Sequence, residues 1–317
     1  MIDVIIPCYN AEEYIEETIA SVLRQTEKQF KITCIDDCST DGTYSKLMQL
    51  SEKYQQVTVL KNDINRGIAF TRNRGIKETD SEYIAFLDDD DIMPSCRLKI
   101  EKEYLDSHKE VGVVAGNYLI FDINGNKKVV QKDKFYSADE VRSELPFVNI
   151  IPNGTTLIRR SVLEENGIVF IEAYGIEDYM LYSEVSRVTD INILPDVLLE
   201  HRVMSTQYSV VCLNSNEKFV KRQEYFDVIH EILIRNITDS LLDKDLAIYK
   251  RFLRENVKDI CFKEIVSLFI AFRRFKSAVR KARKTDYRTF CKAANAAGFR
   301  AVKAYVVEKI RGKNEYK

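Results

Sequence analysis

Four consecutive aspartates, Asp88 to Asp91, follow directly on the apolar run Tyr83 to Leu87, and a second acidic pair, Asp36-Asp37, follows Lys31 to Ile35. Like charges a few ångströms apart raise one another's pKa unless a cation compensates them. A hard divalent ion with oxygen ligands, Mn²⁺ or Mg²⁺, is the natural compensation. Such an ion takes one or two protein carboxylates and fills its shell with water and substrate phosphate, so it predicts a phosphorylated substrate. An isolated acidic run is more often a solvated loop. Here Asp36-Asp37 ends a second apolar run, and Tyr9 offers a flat face to a base, which together favour a nucleotide site. Neither G-x-G-x-x-G nor G-x-x-x-x-G-K-[ST] occurs, so the sequence supports neither a dinucleotide fold nor a P-loop.

The segments that must position these residues alternate between short β-rich runs and helix-period stretches. They are Asp3 to Ile6 then Ala11 to Gln25, Lys31 to Ile35 then Gly42 to Tyr54, Val57 to Leu60 then Arg66 to Lys77, and Tyr83 to Leu87. That rhythm predicts βαβ units around a mostly parallel sheet. Ligands of such sheets bind at the carboxyl ends of the strands. Pro7 to Asn10, Asp36 to Thr43, Asn62 to Gly67 and Asp88 to Asp91 should therefore share one rim. Gly112 to Gly116 and Tyr118 to Val130 read as strands, with a hairpin turn at Ile123 to Asn126. A mixed stretch runs to about residue 212. From Asn214 apolar residues such as Tyr249, Phe252, Leu253, Val257, Ile265, Leu268 and Phe272 recur at helical spacing. The expectation is an α/β domain over residues 1–213 and a helical extension over 214–317.

Five linked motifs in this order resemble the inverting family 2 glycosyltransferases of the GT-A fold, a nucleotide-diphospho-sugar transferase (Rossmann-like) domain, over residues 1 to about 210. They are Pro7-x-Tyr9-Asn10; Asp36-Asp37-x-Ser39-Thr40-Asp41-Gly42-Thr43; Asn65-x-Gly67 with Arg72-Asn73; Phe86-Leu87-Asp88-x-Asp90-Asp91; and Glu177-Asp178. The resemblance implies a nucleotide-sugar donor, read as a UDP-sugar. Pro7, Tyr9, Asn10, Asp36 and Asp37 would lie near the base, Arg66 or Arg72 near the phosphates, and Asp88 and Asp89 along the nucleotide. Asp90 and Asp91 would hold the metal, Asp178 would be the catalytic base, and Glu177 and Arg202 would meet acceptor or diphosphate. It further implies a glycan acceptor, lipid-linked, in capsule, O-antigen or exopolysaccharide synthesis.

The chemistry is compatible with that assignment on its own terms. Glycosyl transfer expels a nucleoside diphosphate through an oxocarbenium-like state, so it needs charge stabilisation on the phosphates and a carboxylate to take the acceptor proton. One departure stands out. Family members often carry Tyr-Arg-x-His after the base, whereas this chain has His201-Arg202-Val203-Met204, with Met204 in the histidine's place. Methionine is a poor ligand for a hard cation. Either His201 substitutes, although period-2 geometry would turn it to the other face, or the metal leans on the aspartates alone. Glu177-Asp178 also suits a plain helix N-terminus. Asn153-Gly154 and Arg159-Arg160 could meet acceptor or diphosphate, or be a turn and a solvated strand end. Cys34 and Cys38 read as small buried hydrophobes, His108 and His230 as surface residues.

Composition bounds the rest. The 317 residues are 45% hydrophobic and 31% charged, which suits a folded protein of about two domains. Seven scattered cysteines without a C-x-x-C pair argue against a disulfide framework and for a reducing cytosol. No signal-peptide pattern opens the chain, and no apolar run approaches the ~18–20 residues of a membrane span. The net charge of −1 hides a basic tail, with 15 Lys and Arg against 3 Asp and Glu in residues 271–317. The tail admits three readings: a helix on an anionic membrane surface, a solvated helical face, or nucleic-acid binding. The first is favoured, and nucleic acid is not expected because no reader motif accompanies the charge. The enzyme is thus expected in the cytoplasm, peripheral at the inner face of the cell membrane. Outside the glycosyltransferases, the sequence leaves a sugar nucleotidyltransferase or a non-catalytic glycan- or membrane-binding module.

Overall fold

The computed structural model describes residues 1–121, 126–130, 134–203, 212–238, 241–253, 262–282, 285–286 and 288–298. They form two compact units. The first joins Met1–Ser137 to Ile151–Asn214, and the second joins Ala138–Ile150 to the described residues from Ser215 onward. Residues 138–150, expected in the α/β domain, thus sort with the helices.

In the first unit, β1 (Ile2–Cys8), β2 (Phe30–Asp36), β3 (Val57–Lys61) and β4 (Tyr83–Phe86) pair in parallel in the order β3-β2-β1-β4. The sheet continues through β7 (Leu157–Arg159), β5 (Val111–Phe121) and β6 (Lys127–Val129), and the long β8 (Asp190–Arg202) also pairs with β5. β7 runs antiparallel to both β4 and β5, so β1 to β5 and β8 all end on one edge while β7 ends on the opposite one. β1 is buried at every position, as expected of a parallel strand covered on both faces. The helices that connect and cover the strands are α1 (Ile15–Leu23), α2 (Thr43–Lys53), α3 (Ile68–Lys77), α4 (Arg97–Ser107), α6 (Arg160–Glu164) and α7 (Glu177–Val185). α3 lies close on the sheet because Gly75 has no side chain, and a Cβ there would come within 2.5 Å of the Ile5 side chain. β5 and β6 pair antiparallel, Leu119 opposite Val129, while residues 123–125 of the expected turn lie outside the described residues.

The second unit contains α5 (Ala138–Glu144), α8 (Asn216–Ile237), α9 (Asp243–Leu253), α10 (Phe262–Ala282) and helical residues 288–298. Its core is aromatic. Phe147 meets Tyr249, Phe272 and Phe290, and Phe275 meets Tyr249 and Phe290, with centroids 4.8–6.3 Å apart. This explains why residues 138–150 leave the α/β unit: Phe147 is the aromatic that this core requires. His230, expected on the surface, is instead buried in α8, where burial drops its pKa to about 3.

Arg97 opens α4 fully buried and ties it to the sheet. Its guanidinium donates to the carbonyls of Phe86, Gly154 and Thr156 and pairs with buried Glu101 at 3.2 Å. Burial pushes the Glu101 carboxyl up to about 7 against the pull of Arg97. Breaking such a pair strands the remaining charge. Arg97→Met should therefore cost about 3–5 kcal/mol in urea denaturation. An unchanged midpoint would contradict the role given to Arg97.

Candidate active site

The shared carboxyl edge gathers the loops that the sequence singled out. After β1, the chain turns with Asn10 at φ 53°; its amide N–H donates to Ser39 Oγ and its Oδ1 accepts from the Thr40 N–H at 2.8 Å. The Tyr9 ring is 47% exposed, while its N–H donates to Asp89 Oδ2 at 2.8 Å. Pro7 precedes this turn inside β1, paired with Ile35.

Asp36 and Asp37 are both buried. Asp36 accepts from the Ser39 N–H and lies 3.9 Å from Lys61 Nζ. Asp37 accepts from Asn62 Nδ2 at 2.7 Å and from the backbone N–H groups of Arg66 and Gly67, each at 2.8 Å. Its carboxylate shapes the loop before α3, where Gly67 adopts φ 83°, a conformation favouring glycine. Arg66 holds its guanidinium outward, 3.5 Å from Asp63 and over the Phe70 ring.

The aspartate run is clamped from two sides. Backbone bonds between Ile92 and Glu200 bring it against the end of β8. There His201 Nδ1 lies 3.0 and 3.1 Å from the oxygens of buried Asp91, and the Arg202 N–H donates to Asp91 Oδ1 at 2.9 Å. Arg202 turns back to donate Nε to the Asp90 carbonyl and Nη2 to Glu17, and its guanidinium lies over Tyr14 and Phe121. His201 therefore faces the aspartates. The register of β8 with β5 is regular at this point, with Ile120 opposite His201 and Phe121 opposite Arg202. Met204 lies outside the described residues.

From the other side comes Arg72 on α3. Its side chain is buried, donates Nη2 to Asp88 Oδ1 at 2.7 Å and lies over Phe170. Burial works against its charge, yet Asp88, Glu177 and Asp178 together raise its pKa. α7 thus sets Glu177 and Asp178 within electrostatic reach of Arg72. Glu177 accepts from the Gly175 N–H at 2.8 Å, and burial raises its pKa. Half-buried Asp178 accepts from the Tyr179 N–H at 2.8 Å.

Electrostatically the run is under-compensated. Burial first, then its carboxylate neighbours, push Asp89 up to about 7 and Asp90 up to about 8. Burial likewise raises Asp91, against the hydrogen bond from His201. The His201 ring resists burial through its Asp91 bond and the surrounding carboxylates, which lift it to about 9. Among the described residues no three His, Cys, Asp or Glu side chains form a ready-made metal cluster. A run that offers one or two carboxylates and carries excess negative charge fits Mn²⁺ or Mg²⁺, whose remaining ligands come from water and phosphate.

Not every expected residue reaches the site. Because β7 is antiparallel, Arg159 and Arg160 end on the opposite edge, where Arg160 is pinned to Asp3 and to the carbonyls of Ser81 and Ile76. Gly154 does belong, since a Cβ there would stand 3.7 Å from Asp91 Oδ2. Cys34 is buried as expected, whereas Cys38 is half-buried at φ 61°. Sequence reasoning missed Glu17 and Phe170, which meet Arg202 and Arg72, and neither carried a local signal. Asn62, expected on the rim from its place just after a strand, holds Asp37.

The family described as Glycosyl transferase family 2 matches residues 3–167. Escherichia coli WfgD, a UDP-Glc:alpha-D-GlcNAc-diphosphoundecaprenol beta-1,3-glucosyltransferase, is 27% identical over 74% of this chain and 87% of its own length. Among solved structures, S. aureus TarS 1-349 in complex with UDP-GlcNAc superposes with a TM-score of 0.63 at 20% identity, covering 93% of this chain and 90% of that one. The mannosyltransferase PcManGT from Pyrobaculum calidifontis, in complex with GDP-Man and Mn²⁺, gives 0.57 at 18% identity, covering 96% and 86%. The likeness shows the GT-A fold.

Asp37 is occupied by three protein donors, so its removal should be felt without any ligand. Asp37→Ala should cost about 1–3 kcal/mol in thermal or urea unfolding, because Asn62, Arg66 and Gly67 lose their acceptor. A purely nucleotide-contacting Asp37 would leave apo stability unchanged.

Proposed function

The chain belongs to glycosyl transferase family 2, and from that premise we propose that it moves a sugar from a UDP-sugar to a hydroxyl of a lipid-linked glycan. The transfer proceeds with inversion, at the inner face of the cell membrane, during synthesis of a bacterial surface polysaccharide. The donor and acceptor classes follow the names of WfgD and TarS's ligand. The observation that carries the proposal is buried Arg72, paired with Asp88 and within electrostatic reach of Glu177 and Asp178. It links the rim suited to a leaving diphosphate to the helix that bears the base.

In this scheme Tyr9 stacks on the base, with Asp36 and Asp37 holding the loops around it. Asp88 and Asp89 line the nucleotide, and Arg66, the more exposed of the two candidate arginines, serves the phosphates. Asp90 and Asp91 would hold a divalent ion, which when bound would supply charge neutralisation to the departing diphosphate. Asp178 takes the proton of the acceptor hydroxyl as its oxygen bonds to the anomeric carbon and the bond to UDP breaks. A single base and no nucleophilic carboxylate give inversion. Glu177 orders the loop before α7 through the Gly175 N–H. Arg202 acts by positioning Asp90 and Asp91 rather than by meeting acceptor directly.

Asp178→Asn should keep the side-chain shape while losing proton acceptance, lowering kcat by about 10²–10⁴-fold. The KM for UDP-sugar should stay near wild type, as expected when only a transition-state interaction is removed. Near-normal turnover, or loss of donor binding instead, would transfer the role to another carboxylate.

A further inference from the structure

α10 is apolar on both faces. Its inner face, with Ile265, Leu268, Phe272, Phe275 and Val279, belongs to the aromatic core of the helical unit. Its outer face should then be polar. Instead Val266, Phe269 and Ile270 stand 42%, 53% and 49% exposed. Exposed positions recur at 263, 266, 269, 270, 273, 274, 277, 280 and 281, the spacing of one stripe; beyond Lys263 it is apolar through Ile270 and turns basic at Arg273.

The charge on this helix is one-signed. α10 contains six Lys and Arg, and its one acid, Glu264, pairs with Arg251 of α9. Among the described residues Arg273, Arg280 and Lys281 form no ion pair, while Arg274 is taken up by Asp245. Helix α8 shows what a solvated face looks like in the same unit: Glu217 pairs with Lys221 and Glu231 with Arg235 at i,i+4 spacing. The helix dipole accounts for cations in the last turn, Arg280 and Lys281, but not for Arg273 in mid-helix. A second copy of the chain on this stripe would bring unpaired like charges together.

We propose that the outer stripe of α10 is a bilayer-docking surface, with Val266, Phe269 and Ile270 entering the headgroup–acyl boundary and Arg273, Arg280 and Lys281 on anionic headgroups. This deepens, and rests on, the membrane-linked acceptor of the proposed function. An interfacial helix draws its binding from buried apolar area and from attraction to anionic lipid, and this stripe offers both.

The test is flotation of the full chain with phosphatidylcholine vesicles containing or lacking phosphatidylglycerol. Wild type should float with the anionic vesicles alone. Arg273→Glu with Arg280→Glu should lower recovery more than tenfold, since each cation near such a surface is worth roughly fivefold. Phe269→Ser with Ile270→Ser should remove the salt-resistant part of binding. The chain has no tryptophan, so Phe269→Trp gives a single reporter whose emission should shift to the blue on anionic vesicles. All variants should transfer sugar normally to a water-soluble acceptor, which separates failure of this surface from failure of the glycosyltransferase assignment. The proposal is overturned if wild type does not float, if the variants float as well as wild type, or if the reporter does not shift. It is equally overturned if sedimentation shows the serine variant dissociating an oligomer with flotation unchanged.

Discussion

Four carboxylates at one strand end repel one another, and the surrounding structure is organised to hold them there. His201 and the Arg202 amide grip Asp91, the Arg202 guanidinium grips the Asp90 carbonyl, Tyr9 caps Asp89, and Arg72 pairs with Asp88. The restraints come from the end of β8, the turn after β1 and α3, so the run after β4 draws these elements together. Even so, Asp89 and Asp90 are pushed up to about 7 and about 8, which marks charge that the protein alone does not compensate. In the proposed function, a cation and the phosphates it brings would complete the balance.

The loops around that run show the same economy of polar groups. Asp37 binds the loop after β3, Asn10 binds the loop after β2, and Asp41 binds Thr43 and Glu12. Among the described residues the non-glycine residues at positive φ are Asn10, Cys38 and Tyr174. Two flank the rim at the carboxyl edge of the sheet and the third lies three residues before Glu177. Backbone strain of this kind costs about 1–3 kcal/mol per residue and persists where surrounding contacts over-determine it. Asn10 is held by the Ser39 hydroxyl and the Thr40 N–H, and the Tyr174 N–H donates to Glu172.

Much of this was legible in the sequence because βαβ rhythm and strand-end chemistry are local signals. The first four strands, their order of loops and the aspartate rim follow from runs such as Asp3 to Ile6 and Tyr83 to Leu87. What was illegible depends on long-range pairing. Insertion of the antiparallel β7 sends Arg159 and Arg160 to the far edge, and the bridge between Ile92 and Glu200 brings His201 against Asp91. Phe147 joins the helical unit through aromatic contacts about a hundred residues or more away in sequence. His230 looked polar by its neighbours, yet its helix face is buried.

The central claim is that the aspartate run is completed by a divalent ion together with a nucleoside diphosphate. Calorimetric titration of UDP into wild-type protein and Asp90→Asn, each with Mn²⁺ and with EDTA, tests it most directly. The account predicts that Mn²⁺ tightens UDP binding to the wild type at least about tenfold, and that Asp90→Asn abolishes most of that gain while keeping its fold. UDP binding equally tight in EDTA, or a metal effect undiminished in Asp90→Asn, would contradict it.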